Sequence, residues 1–81
     1  MIAKEELEHG AYYRGRCRNA TLARWNDREE RFYHWRFKWG MTFLETIKHP
    51  EDEDRWDVFF PEEKVENPEK EIPLDFVVES K

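Results

Sequence analysis

The nine residues from Arg31 to Trp39 restrict the fold of this chain more than any other segment. Their side chains fall alternately on two sides, with Tyr33, Trp35, Phe37 and Trp39 on one and Phe32, His34, Arg36 and Lys38 on the other. Alternation with a period of two is typical of a β-strand whose faces meet different surroundings. We therefore predict a central strand, with its aromatic side in the hydrophobic core. Base stacking on these rings and a cage for a methylated ammonium are the alternatives.

The size of the chain limits how such a strand is stabilised. The sequence has 81 residues, of which 16% are aromatic, and a single cysteine. A single cysteine, Cys17, excludes an intrachain disulfide, and such cysteine usage is typical of a reducing compartment such as the cytoplasm. No apolar run approaches the roughly 18 residues that span a bilayer, so we expect no membrane association. Large aromatic side chains and self-association remain as sources of stability, and a homo-oligomer is one expected state.

The remaining patterns predict an all-β fold, with a small α+β fold as the variant. Period-two segments at residues 11–18, 21–25, 41–47 and 56–60 predict four more strands, and residues 1–9 predict a short helix. Five short strands favour an antiparallel SH3-like barrel or a curled meander. We assign residues 1–61 to one domain and 62–81 to an acidic tail. Residues 72–78 regain alternation, as an edge strand or as a segment that pairs with another molecule.

The charge of the chain is divided between its two halves. The net charge is −5, but residues 1–50 hold ten Lys and Arg against seven Asp and Glu. Residues 51–81 hold four basic residues against twelve acidic ones. Such asymmetry points to two different surfaces, while the overall acidity argues against a protein that binds duplex DNA in bulk.

The first candidate site consists of two ladders of cations, one on each of two predicted strands, with Arg24 between them. If the ladders share a face, they form one site with the members Arg14, Arg16, Arg18, Arg24, His34, Arg36 and Lys38. Like charges side by side on a sheet are destabilising, and arginine binds phosphate through two parallel hydrogen bonds. We predict a phosphate-bearing ligand: a nucleotide, a cyclic nucleotide signal or single-stranded nucleic acid. Tyr12 or Trp25 would stack on a base. Alternatively, the acidic half folds over the cations and neutralises them.

The competing hypothesis is a protein–protein adaptor or inhibitor that acts through the acidic half. Its predicted contacts are four carboxylates and two aromatic anchors: Glu51, Asp52, Glu53, Asp54, Trp56 and Phe59. Twelve carboxylates would also suit a mimic of a nucleic-acid backbone, while a solubilising tail is the simpler interpretation.

Catalytic and metal-binding patterns are missing from the sequence. There is no glycine-rich phosphate loop, no Gly-x-Ser-x-Gly motif and no Cys-x-x-Cys pair. Nothing local supports Cys17 and His34 as a nucleophile and its base. We therefore predict a non-enzymatic binding protein without a metal or cofactor.

A compact pattern covers roughly residues 10–60 and consists of the stretches Tyr12–Ala20, Ala23–Asn26, Phe32–Arg36 and His49–Asp52. It resembles small proteins of bacteria and their phages. This resemblance implies a prokaryotic or phage setting, in the host cytoplasm if the chain is phage-encoded, and with it an anti-defence role. It carries no established activity and no functional residues over to this chain.

Overall fold

The computed structural model of the protein describes residues 1–17, 20–52, 58–66, 68 and 70–74. A single 3-10 turn at Lys4–Glu6 takes the place of the predicted N-terminal helix. Five strands follow: β1 (Tyr12–Arg16), β2 (Leu22–Asn26), β3 (Arg31–Lys38), β4 (Met41–Ile47) and β5 (Phe60–Val65). The all-β class is thus confirmed.

All five strands belong to one antiparallel sheet with the order β4-β3-β2-β1-β5. The first four strands form a meander, and β5 returns to the free side of β1. Among the described residues, β4 and β5 are not paired with each other, so the sheet is not closed. This order agrees with both the SH3-like barrel and the curled meander.

The fifth strand lies further along the chain than the sequence predicts. It begins at Phe60, where the predicted strand 56–60 ends, and it continues to Val65. The predicted boundary at residues 61 and 62 therefore lies inside a strand. The charged residues at 62–64 led to the prediction of a tail, but they lie in an edge strand, where exposed charges are tolerated. Of the predicted edge strand 72–78, residues 72–74 form no strand, and 75–78 lie outside the described residues.

The core lies on one face of the sheet, which we call the Phe32 face. Its buried members are Leu7, Tyr13, Ala23, Trp25, Phe32 and Phe59. The ring of Phe32 is central, since its centroid lies 4.8 Å from the centroids of both Trp25 and Phe59. The opposite side of the sheet, the Tyr33 face, has a thinner cover in which Tyr33 and Ile72 are buried.

Candidate binding surface

The strand register divides the predicted cationic site between the two faces of the sheet. Tyr12 pairs with Arg24, and Arg24 pairs with Tyr33, so all three lie on the Tyr33 face. Arg14 and Arg16 follow at alternate positions and share that face, where they are exposed. His34, Arg36 and Lys38 lie on the Phe32 face, because they alternate with Tyr33 along β3. The ladders do not coincide, and Arg18 lies outside the described residues.

Two of the predicted site residues on β3, His34 and Arg36, contact a carboxylate of the neighbouring strand rather than one of the acidic half. Arg36 donates to a carboxylate oxygen of Glu45 at 2.6 Å, and His34 Nε2 lies 3.3 Å from the other oxygen. His34 is fully buried, and this burial lowers its pKa below the ordinary value of 6.5, against the raising effects of the Trp35 carbonyl and Glu45. An uncharged, enclosed imidazole and an ion-paired guanidinium are poorly suited to phosphate.

Arg24 has a structural role on the Tyr33 face. Its Nε donates to the carbonyl oxygen of Gly10 at 2.7 Å, and its Nη1 donates to that of Ile72 at 2.7 Å. The guanidinium also lies over the ring of Tyr12, 4.9 Å from the centroid. The Tyr12 hydroxyl in turn accepts from the Ile72 backbone N–H at 3.1 Å. Arg24 and Tyr12 thus hold the segment around Ile72 against the sheet. The guanidinium of Arg24 and the ring of Tyr12, which a ligand would need, are therefore already engaged within the chain.

Two of the predicted aromatic contacts lie in the core. Trp25, predicted to stack on a base, is 1% exposed, and Phe59, predicted to anchor a partner, is fully buried. Both predictions are wrong for the same reason. The ring of Trp25, from β2, and the ring of Phe59, from the segment before β5, both pack against Phe32. Because the chain has few aliphatic residues, these aromatic rings are needed to fill the core.

The described part of the acidic loop makes contacts within the chain. Glu51 accepts from the backbone N–H of Lys4 at 2.9 Å, and Asp52 pairs with the Lys4 ammonium at 2.8 Å. The same ammonium contacts Glu30 in the β2–β3 turn, and these hydrogen bonds raise the pKa of Lys4, with Asp52 the largest contributor. The other predicted partner contacts, Glu53, Asp54 and Trp56, lie outside the described residues.

A groove on the Tyr33 face contains two accessible cations, Arg14 and Lys70. It has a volume of about 440 Å³, and its lining includes Arg14 and Thr21 from the sheet side, Trp35, and Lys70 from the C-terminal segment. The Lys70 ammonium lies 4.6 Å from the centroid of the Trp35 ring, and Trp35 Nε1 donates to the Glu71 carbonyl oxygen at 3.0 Å. The groove thus combines two cations, a hydroxyl and an indole with one carboxylate, that of Glu66.

A larger hollow of about 720 Å³ lies beside the groove and is less suited to an anion. It is bordered by two carboxylates, Glu66 and Glu71, and by one cation, Lys64. Lys64 is also engaged by Glu8 at 2.9 Å, a contact that raises its pKa. We therefore take the smaller groove as the candidate site.

The β3–β4 hairpin carries the most exposed aromatic residues of the described chain. Phe37 is 73% exposed and Trp39 is 85% exposed, so the prediction that these two rings belong to the core is wrong. Met41 and Phe43 follow on β4 with exposures of 66% and 37%. The Lys38 ammonium lies 4.3 Å from the centroid of the Trp39 ring. We call residues 37–43 the hairpin tip.

The sequence contained one signal for the exposure of Met41 and Phe43, the two apolar members of the hairpin tip that belong to β4. Lys38 pairs with Met41 across the two-residue turn Trp39-Gly40, in which both residues have positive φ. Through this pairing Met41 and Phe43 share a face with the charged Lys38 and Arg36, and such a mixture is typical of a surface. Lys70 had no comparable signal, since its approach to Trp35 depends on the fold of a distant segment.

Comparison of the chain with protein-family models, with curated proteins and with solved structures finds no match. Within the described ranges, no helix has the length and apolar character required to cross a membrane. The same residues contain no cluster of three or more His, Cys, Asp or Glu side chains that would hold a metal ion.

Proposed function

We propose that this chain is a non-enzymatic binding protein that holds a short single-stranded nucleic acid on its Tyr33 face. The observation that carries the proposal is that Phe37, a bare aromatic ring, lies on the same face as the groove that contains Arg14 and Lys70. Proteins that bind single strands combine such rings, on which bases stack, with cations that contact the phosphates.

Each part of the surface has a role in this proposal. Phe37 and Trp39 stack on successive bases at the hairpin tip, where both side chains are largely exposed. Arg14 and Lys70 contact phosphates in the groove, and Arg16 extends the cationic path along β1, where it is exposed beside Glu62 at 3.6 Å. Because carboxylates border this cationic path, the long-range electrostatic attraction between the protein and the phosphates is weak. Binding is therefore restricted to short, flexible strands that fit closely.

Fluorescence anisotropy with a labelled single-stranded oligonucleotide tests the proposal. Three phosphate contacts give a slope of about −2 for the logarithm of the binding constant against the logarithm of salt concentration. Arg14→Gln should reduce the magnitude of that slope by about 0.7, the share of one contact on a single strand. Binding that does not depend on salt, or no binding at low salt, would overturn the proposal.

The aromatic part of the site is tested by truncating its rings. Trp39→Ala and Phe37→Ala should each weaken binding by about 1–3 kcal/mol, the range for a base stacked on an aromatic ring. Met41→Ala is the matched control, because Met41 is exposed at the same tip but offers no ring for stacking. It should leave the affinity for the oligonucleotide unchanged.

A second candidate is a protein adaptor, and it is favoured by the exposure of four apolar side chains within the seven residues of the hairpin tip, with Phe37 on the Tyr33 face and Met41 and Phe43 on the Phe32 face. Exposed apolar residues concentrated at one hairpin are typical of a protein contact, with Trp39 as the central anchor. In this case Met41→Ala and Trp39→Ala would both weaken complex formation, and Arg14→Gln would have little effect. The pair Met41→Ala and Arg14→Gln therefore separates the two functions.

A further inference from the structure

The two edges of the sheet differ in how they are protected. β5 contains Pro61, which has no N–H, and the charged run Glu62-Glu63-Lys64. The N-terminal segment also covers it, since the Ile2 backbone N–H donates to the Pro61 carbonyl oxygen at 2.8 Å. Proline, exposed charge and a covering segment are the usual means by which proteins prevent edge strands from pairing.

Over its seven residues, β4 has none of these protections from the described part of the chain. Its sequence, Met-Thr-Phe-Leu-Glu-Thr-Ile, lacks proline and lysine, and its one charge, Glu45, is held by His34 and Arg36 of the same sheet. Among the described residues, no strand lies along its outer edge. Just beyond the end of β4, the Phe59 N–H donates to the Lys48 carbonyl oxygen at 3.1 Å.

The hairpin turn determines which backbone groups of β4 point outward. A two-residue turn closes on a hydrogen-bonded pair, here Lys38 and Met41, and the hydrogen-bonded pairs then alternate along the ladder. Phe43, Glu45 and Ile47 therefore direct their N–H and C=O groups towards β3. The outward groups belong to Thr42, Leu44 and Thr46, which are spaced symmetrically about Leu44, the centre of β4.

We propose that the outer edge of β4 pairs with the β4 strand of a second copy of this chain, in a two-fold dimer with Leu44 on the axis. In this register Leu44 faces Leu44 of the second copy, and Thr42 faces Thr46 in both directions. On the Phe32 face, Met41 lies opposite Ile47, and Phe43 lies opposite Glu45. No two like charges are directly opposite each other, and all outward backbone groups of β4 are satisfied.

A two-fold axis gives an interface in which each copy contributes the same patch. Two residues that are directly opposite in an antiparallel pair have their side chains on the same side of the sheet. The two copies would therefore form one ten-stranded sheet with both Tyr33 faces on the same side. The proposal does not depend on the function proposed above, since its test contains no ligand. A failure of one therefore leaves the other open to its own experiment.

Sedimentation of the full-length protein over a range of concentrations tests the dimer. Leu44→Lys and Leu44→Glu each place like charges directly opposite on the axis and should each weaken the dimer by at least about tenfold. An equimolar mixture of the two variants should restore a dimer, because lysine then faces glutamate. Restoration on mixing is specific for a residue that meets its own copy.

A second pair of variants tests the dimer if the Leu44 variants do not fold, since Leu44 is half-buried and a charge at this position can be destabilising. Thr42→Pro removes an outward N–H without disturbing the ladder to β3, and it should weaken the dimer. Thr42→Val keeps both the branched side chain and the N–H, and should preserve the dimer. Circular dichroism confirms that each variant is folded.

Three results would overturn the proposal. One is a wild-type protein that remains monomeric at every concentration, and another is a dimer that neither Leu44→Lys nor Thr42→Pro weakens. The third comes from hydrogen exchange on the full-length chain. The amides of Thr42, Leu44 and Thr46 should become protected only as the dimer forms. Protection in the monomer would instead assign the edge to another segment of the same chain.

Discussion

The two ends of β3 carry similar aromatic side chains in opposite surroundings. At its start, Phe32, Tyr33 and His34 are almost completely buried, although they lie on different faces. Five residues further, Phe37 and the neighbouring Trp39 are largely exposed. The strand is regular throughout, and its pairing with β4 continues to Lys38 and Met41. Local backbone structure therefore does not account for the difference.

The difference comes from segments that are distant in the sequence. Phe59 and Leu7 cover the start of β3 on the Phe32 face, and Ile72 contributes to the cover of the Tyr33 face. None of the described segments reaches the hairpin tip. One end of the strand thus stabilises the fold, and the other end presents apolar surface at little cost to stability. Substitutions at the two ends should have correspondingly different effects.

The largest expected contrast is between Phe32→Ala and Phe37→Ala. Phe32 contacts Trp25, Phe59 and Tyr13, so its truncation leaves a cavity and should lower the free energy of unfolding by about 3–5 kcal/mol. Phe37→Ala should change the free energy of unfolding by less than about 0.5 kcal/mol, because the ring is mostly in solvent. Urea unfolding of both variants measures the contrast. Equal losses would show that the hairpin tip is packed.

Two glycines give the next contrast, Gly15 in β1 at its junction with β5 and Gly40 in the turn of the hairpin tip. A Cβ atom on Gly15 would lie 2.1 Å from the Phe60 carbonyl oxygen, where β1 meets β5 at a register shift, and a backbone atom cannot move aside easily. Gly15→Ala should therefore cost about 3 kcal/mol or more. Gly40 has no atom within 4 Å of such a Cβ, but its φ is +74°. Gly40→Ala should cost about 1 kcal/mol for the left-handed backbone alone.

Thermal unfolding of the two alanine variants, with the wild type alongside, measures this second contrast. A larger loss of stability for Gly40→Ala than for Gly15→Ala would contradict the assignment of the tight contact to the β1–β5 junction. An unfolded Gly15→Ala protein would agree with it, provided that Gly40→Ala remains folded.

Much of the sheet was predictable because alternation and turn residues act locally. The segments of β1 to β4 were predicted to within a few residues from their period of two and from the turns between them. β5 was misplaced because its charged residues, Glu62 to Lys64, are compatible with a strand only at the edge of a sheet. Whether a segment lies at an edge depends on the whole topology, which local pattern does not contain.

The candidate site was less predictable because it depends on register. Alternation assigns Arg14 and Arg16 to one face of β1, and His34 and Arg36 to one face of β3. Two turns separate these strands, and a shift of one residue reverses the face of every side chain. The sequence therefore left open whether the cations meet. In the same way, the period of β3 shows that Trp35 and Phe37 share a face but not how far the core extends along it.

His34 lies at the boundary between the two ends and gives the smallest expected effect. It is the last fully buried residue of β3, and burial lowers its pKa in the folded chain below 6.5. The unfolded chain therefore takes up a proton at a higher pH than the folded chain does. Between the two pKa values the unfolded state binds more protons, so the free energy of unfolding falls as the pH drops below about 6.5.

Urea unfolding at several pH values between about 5 and 7.5 measures this dependence. His34→Gln removes the titrating group, and the slope of unfolding free energy against pH should then decrease by up to about 1.4 kcal/mol per pH unit, the value for one proton. Phe37→Ala is the control at the exposed end, since it leaves His34 and Glu45 in place and should keep the wild-type slope. A slope that is the same in His34→Gln and in the wild type would mean that this imidazole is hydrated when folded. In that case the boundary between the packed and the exposed end of β3 would lie closer to Phe32.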